Sequence, residues 1–177
     1  MRTGGVGHGR KLRVYTSAET HTWVQKACDL SGLGTDAIRW VPTLPDLTMD
    51  VDALVKQVDA DVAAGEQPLM IIGTAGSVST GAIDPLDRIG ALCRERGIWF
   101  HVDGAYGLAG LCAPNVRPLF NGVELADSLI VDPHKWLFAP FDACALIYRD
   151  PSIGKKAHTQ HAAYLDTLED DGEWNPS

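Results

Sequence analysis

Two residues of this 177-residue chain stand where a reactive side chain would be useful: Lys135, in Asp132-Pro133-His134-Lys135, and Asp103, directly after Ile98-Trp99-Phe100-His101-Val102. A lysine amine is a poor nucleophile while protonated. At a desolvated or cation-flanked site it loses its proton more readily and can form a Schiff base with an aldehyde. His134 precedes Lys135 and Trp136-Leu137-Phe138 follow it, so an imidazole and an apolar wall are both at hand. A lone lysine is ordinarily a solvated surface residue, and a lone aspartate a turn or cap residue. Asp103, however, is followed by the small pair Gly104-Ala105, which lets a flat heteroaromatic ring approach closely enough for the carboxylate to pair with a protonated ring nitrogen. An amine and a carboxylate at two successive strand ends point to one site more strongly than either residue alone.

The elements that must position them alternate between strand and helix. Extended runs are expected at Leu12 to Thr16 and Ala37 to Val41, with a helix from about Thr20 to Leu30 between them. A second helix is expected over about Asp50 to Ala64, because Val51, Leu54, Val55, Val58 and Val62 recur at helical spacing; Gly65 ends it. Pro68 to Thr74 reads as a strand apolar on both faces, as a parallel sheet covered by helices requires. Asp84 is expected to cap the next helix, Pro85 to open it and Gly97 to stop it. Strands then follow at Ile98 to Val102, Ser128 to Val131 and Ala143 to Tyr148. This βαβ series predicts an α/β fold with a mostly parallel, doubly wound sheet, and ligands of such sheets sit beyond the carboxyl ends of the strands. That rule selects Thr74, Asp103 and the Asp132 to Lys135 segment.

The formal net charge of -8 carries no basic stripe, which argues against nucleic acid and anionic membrane surfaces and leaves a small-molecule substrate. Cys28, Cys93, Cys112 and Cys144 form no CxxC pair and no metal-ligand cluster, and read as reduced, packed residues of a cytoplasmic protein. Gly4-Gly5-Val6-Gly7-His8-Gly9 lacks the preceding strand and following helix of a phosphate cradle, so residues 1–11 read as a flexible lead-in. No apolar run is long enough to span a bilayer.

The runs His101-Val-Asp-Gly-Ala-Tyr-Gly107 and Asp127-Ser-Leu-Ile-Val-Asp-Pro-His-Lys-Trp136 closely resemble the two hallmark segments of the group II pyridoxal-phosphate-dependent amino-acid decarboxylases, which include aromatic-amino-acid, histidine and glutamate decarboxylases. Tyr15 to His21 and Gly73 to Ser77 through Asp84-Pro85 extend the likeness, in family order, from about Val14 to Tyr164. The resemblance implies part of a fold-type I large domain over residues 12–150, followed at 151–177 by a mobile-loop region cut before a small domain. It implies pyridoxal 5'-phosphate (PLP) as cofactor, held by Lys135 as a Schiff base and paired through Asp103 with its pyridine nitrogen. His21, which on its own reads as a helix-terminal surface residue, would stack on the ring. Ala105 would pack on the opposite face, Thr74 would lie near the ring substituents, and His134 would sit by the phosphate. Asp132 stands where many relatives carry Asn, and a carboxylate there would repel a phosphate. Tyr164 is similar to the loop tyrosine that protonates the substrate carbon after carbon dioxide leaves.

Family members also have an upstream phosphate-binding loop and a partner subunit that completes each site, so a homodimer is implied for a full-length protein. Amino-acid decarboxylation is the reaction the resemblance favours. PLP-dependent aldehyde synthases and aminotransferases use the same lysine and aspartate, with Tyr rather than Phe at position 164 separating decarboxylation from the synthase route. An inactive truncated fragment is the third reading. Trp23, Trp99, Trp136 and Phe141 read as core residues.

Overall fold

The computed structural model describes residues 9–158. Six strands form one sheet: β1 (Leu12–Ser17), β2 (Ile38–Val41), β3 (Gln67–Thr74), β4 (Trp99–Asp103), β5 (Ser128–Val131) and β6 (Ala145–Tyr148). Their order is β2-β1-β3-β4-β5-β6; all neighbours run parallel except β6, which pairs antiparallel with β5. Helices α1 (Trp23–Leu30), α2 (Val51–Ala63) and α3 (Leu86–Arg96) follow β1, β2 and β3, and α4 (Pro151–His158) follows β6. The expected α/β class with its mostly parallel sheet is therefore the observed one.

Helices cover one face of the sheet and part of the other, and β3, which lies between them, is apolar on both faces over Leu69 to Ile72. Tyr15, Ile71, Phe100 and Val102 point to one face, where Leu54 and Val58 of α2 and Leu86, Ile89 and Cys93 of α3 close the main core. Val14 and Ile72, one residue out of phase, point to the other face and meet Val24 and Cys28 of α1. Each fully buried side chain of this size contributes about 1.5–3 kcal/mol. Among the described helices α1 alone adds to the second core, and the sheet surface beyond it, toward β4 to β6, opens into the cleft described below.

Several local expectations need correction. The inward face of α2 is Val51, Leu54, Val58 and Asp61, while Val62 is exposed. Asp61 takes the inward position because it is neutralised there: the Tyr15 hydroxyl donates to it at 2.9 Å and Arg39 donates in bidentate fashion at 3.0–3.1 Å. Arg39 also reaches Glu66 at 2.8 Å, and Arg13 binds the same carboxylate at 2.7 Å. This network ties β1 and β2 to the chain that leads into β3. Arg13, Arg39 and Lys11 together overcome burial and hold the Glu66 carboxyl down to about 2.

Helix α1 starts at Trp23 rather than Thr20, since residues 18–20 form a turn after β1. Asp50 caps α2, accepting from the amides of Asp52 and Ala53 at 3.0 Å. Asp84 does not cap α3. It is buried, and its two oxygens accept the main-chain N–H of Met49 at 2.7 Å and of Thr74 at 2.8 Å, locking the end of β3 to the turn before α2. Gly97 ends α3 in the left-handed region, as expected. Cys28 and Cys93 are buried, but Cys112 and Cys144 are exposed.

Burial pushes the Asp84 carboxyl from its ordinary value of 3.8 up to about 6, against the pull of its two amide hydrogen bonds. The folded chain therefore binds that proton more tightly than the unfolded one, and the group's contribution to stability falls as pH rises across this interval. Urea denaturation should show the unfolding free energy of the wild type, relative to Asp84→Asn, falling between about pH 4 and pH 7. A difference that is flat over this range contradicts the assignment.

Candidate active site

The carboxyl ends of β3, β4 and β5 are laced together by their main chains. The N–H of Ala75 donates to Asp103 O at 2.7 Å, that of Gly104 to Ile130 O at 3.1 Å, and that of Asp132 to Ala105 O at 3.3 Å. In-register pairing of Thr74 with Asp103 and of Asp103 with Ile130 sets the same levels within the sheet. Because side chains alternate along a strand, Trp99, His101 and Asp103 of β4 share a face with Ser128, Ile130 and the following Asp132. That face is the floor of a cleft of about 760 Å³, whose lining includes His21, Thr74, Asp103, Ala105, Asp132 and Lys135.

Asp103 is buried at the end of β4. Its Oδ1 accepts the Ala105 N–H at 3.2 Å and its Oδ2 the indole N–H of Trp23 at 2.6 Å. Lys135 follows a tight turn closed by its own N–H on Asp132 O at 3.0 Å, and its ammonium meets Asp132 Oδ2 at 2.7 Å. The other oxygen of that carboxylate, Oδ1, is buried with no hydrogen-bond partner among the described residues. Burial pushes the Asp132 carboxyl up, yet hydrogen bonds from Lys135 and the Cys144 thiol, with the nearby positive charge, outweigh it and hold the group below its ordinary value. Behind Lys135, the Trp136 ring stands edge-on to Tyr106 at 5.6 Å, which joins the segments that follow β4 and β5.

Thr74 is buried at the end of β3, its hydroxyl 3.3 Å from that of Thr20, which in turn receives the Thr16 hydroxyl at 2.6 Å. His21 is exposed at the rim. Its Nδ1 accepts the Trp23 N–H at 3.2 Å, so the ring serves the free amides at the start of α1, where Thr22 provides no side-chain cap. Ala105 is half-buried in the wall. His134 is not among the lining residues: its Nδ1 lies 2.5 Å from the carbonyl oxygen and 3.1 Å from the nitrogen of Ala143, so the ring faces the main chain of residue 143 whichever tautomer it holds. Tyr164 lies outside the described residues.

Three lining residues, Trp23, Trp99 and His101, have roles that the sequence reading did not give them. Trp23 packs against the second core as expected, but it also lines the cleft and donates to Asp103. Trp99 likewise lines the cleft and donates to Ser128 at 2.9 Å, whereas Trp136 and Phe141 are exposed. His101 is buried beside Asp103, its Nδ1 2.8 Å from the Ser128 hydroxyl. Burial pushes its imidazole down, against an opposing pull from Asp103, so it is neutral at neutral pH. Strand alternation alone placed His101 on the face of Asp103, a signal available from the sequence.

A largely parallel α/β sheet, with an amine and a carboxylate opening into one cleft beyond adjacent strand ends, defines a domain of the fold-type I class. The profile described as the pyridoxal-dependent decarboxylase conserved domain matches residues 6–174, and the chain belongs to that family. A tryptophan decarboxylase of Camptotheca acuminata is 40% identical over 163 residues, 91% of this chain and 32% of the relative. The cysteine sulfinic acid decarboxylase of Mus musculus is 38% identical over 155 residues, 87% of this chain and 31% of the relative. Among solved structures, Oryza sativa TDC with PLP and tryptamine superposes with a TM-score of 0.88 at 32% identity, covering 94% of this chain and 34% of that one. The chain thus spans about a third of the length of the relatives it matches.

The wall of the cleft depends on a contact between two glycines. Gly76, at φ +89°, lies against Gly107, and a Cβ on Gly107 would come within 2.5 Å of Gly76 Cα and 2.6 Å of Ala75 O. Gly107→Ala must therefore push the loop after β3 away from Tyr106. It should cost about 1–3 kcal/mol in chemical denaturation. An unchanged midpoint would show that the loops are not held by this contact.

Proposed function

We propose that the intact protein is a PLP-dependent amino-acid decarboxylase in which Lys135 carries the cofactor as a Schiff base and Asp103 pairs with its ring nitrogen. The observation that carries this reading is the opening of Asp103 and Lys135 into one cleft from laced neighbouring strand ends. The cleft has the volume of a small-molecule site, Ala105 presents only a methyl group to it beside Asp103, and Asp132 Oδ1, without a hydrogen-bond partner among the described residues, offers a buried acceptor near the lysine. These features fit the cofactor, and family membership supports the same choice.

When bound, PLP supplies a sink for the electron pair left as the substrate carboxylate departs as carbon dioxide. Asp103 holds a proton at the ring nitrogen, which keeps that sink positive. Asp132 orients the lysine amine before attack, and the amine must leave this ion pair and shed a proton to become a nucleophile. Thr74, Ala105 and His21 line the cleft and would surround the ring, with His21 stacking on it. His134, whose Nδ1 is held at Ala143, would reach the phosphate through Nε2. Tyr164 donates the proton that replaces the lost carboxylate, and its phenol favours plain decarboxylation over the oxidative route to an aldehyde. In this reading the protein works as a cytoplasmic homodimer on an amino-acid substrate. The exposed apolar side chains of Trp136, Leu137, Phe138 and Phe141 beside the site support a covering subunit.

Addition of PLP to the intact protein should produce an absorbance band near the edge of the visible range, and Lys135→Ala or Lys135→Arg should abolish it. Asp103→Asn should retain the band but lower the turnover of carbon dioxide release by about a hundredfold or more, since a neutral partner no longer holds the ring proton. Near-normal turnover in Asp103→Asn, or a persisting band in Lys135→Ala, contradicts the proposal.

A further inference from the structure

The assignment of Asp103 leaves open what aims its carboxylate. A carboxylate at a strand end can rotate about its side-chain bonds, and a ring nitrogen that must meet it in plane gains from having that rotation stopped beforehand. Both oxygens of Asp103 already have donors from the protein. The Ala105 N–H holds Oδ1 from the following turn, as an aspartate commonly does for itself. The donor to Oδ2 comes from 80 residues away, the indole of Trp23 at 2.6 Å, a distance short even for a charge-assisted bond.

Resting on the reading of Asp103 as the partner of the ring nitrogen, we infer that Trp23 is a positioning residue for the reaction: its indole N–H fixes the plane of the Asp103 carboxylate so that a free lone pair faces the cleft. Four features support this. Trp23 is the first residue of α1, and Val24 and Cys28 anchor that helix in the second core, so the indole is carried by a rigid element. Its ring stands edge-on to His101 at 5.9 Å, and His101 is pinned through Ser128 to the indole N–H of Trp99, so the rings behind the carboxylate cannot swing freely. An indole nitrogen is a donor only and does not titrate, so Asp103 is always the acceptor in this pair. A carboxylate has about four acceptor sites, of which two are used here, and capacity remains for a protonated ring nitrogen.

The test uses the intact protein labelled with ¹⁵N at tryptophan, together with two probes: PLP and its analogue with carbon in place of the ring nitrogen. The indole cross-peak assigned to Trp23 by its loss in Trp23→Phe should lie downfield and move upfield in Asp103→Ala. The Kd for PLP should rise about tenfold in Trp23→Phe, and the Kd for the analogue, which has no ring nitrogen to present to Asp103, should not change. If Trp23→Phe does not fold, the benzothienyl analogue of tryptophan placed at position 23, which keeps the ring shape without the N–H, is measured instead. A cross-peak indifferent to Asp103→Ala, an unchanged Kd for PLP, or an equal loss for both probes would overturn the inference, the last by showing a purely structural role. If the wild type binds no PLP, it is the reading of the site itself that fails, whatever the cross-peak does.

Discussion

Everything at the candidate site depends on the main-chain lacing of three parallel strand ends. Ala75 is held to Asp103, Gly104 to Ile130, and Asp132 to Ala105, so the segments that bear the buried threonine, the carboxylate and the amine cannot shift independently. Side chains alternate faces along a strand, and a slip of one residue in β4 would send Asp103 into the main core and Val102 into the cleft. The register that builds the core therefore also selects the residues that can meet a ligand. Gly76 against Gly107 extends the constraint to the loops, which approach too closely for any Cβ between them.

The charged groups divide between the two ends of the sheet. Near the start of β1, Arg13, Arg39, Asp61 and Glu66 satisfy one another, and a buried carboxylate there is matched by guanidinium and phenol donors. At the other end the matching is incomplete among the described residues: Asp132 keeps one buried oxygen without a partner, and Lys135 is held by its contact with the other oxygen, on a segment rich in exposed apolar side chains. Incomplete satisfaction of buried polar atoms is costly in a folded chain and is tolerated where a ligand completes the set. Asp84 shows the contrasting case. It too is a buried carboxylate near the strand ends, but both of its oxygens are occupied by main-chain amides, and its role is to hold the loop that leads away from Thr74.

Much of this was legible in the sequence, for physical reasons that can be named. Strands apolar on both faces, short helices between them and glycines at the helix ends sufficed to specify a parallel α/β sheet, and the rule that such sheets bind ligands beyond their carboxyl ends pointed to Asp103 and Lys135. What could not be read were long-range pairings that leave no local pattern. Asp84 has the spacing of a helix cap, and only the fold brings Met49 and Thr74 to it. Val62 has the spacing of a core residue, but the partners of Asp61 rotate the buried face of α2 by one position. Trp23 has the composition of a core residue, and its partner lies across the sheet, beyond the reach of periodicity. Likeness to a family gave His134 a place by the phosphate, and the bond of its Nδ1 to residue 143 left no trace in the sequence.

If Lys135 carries the cofactor, its amine takes up PLP in preference to those of Lys11, Lys26, Lys56, Lys155 and Lys156. Reducing the PLP-treated intact protein with borohydride, digesting it and sequencing the labelled peptide by mass spectrometry tests this directly. A stable phosphopyridoxyl group is expected on the peptide that contains Asp132-Pro133-His134-Lys135, at Lys135. A label found on another lysine, or spread evenly among them, would contradict it.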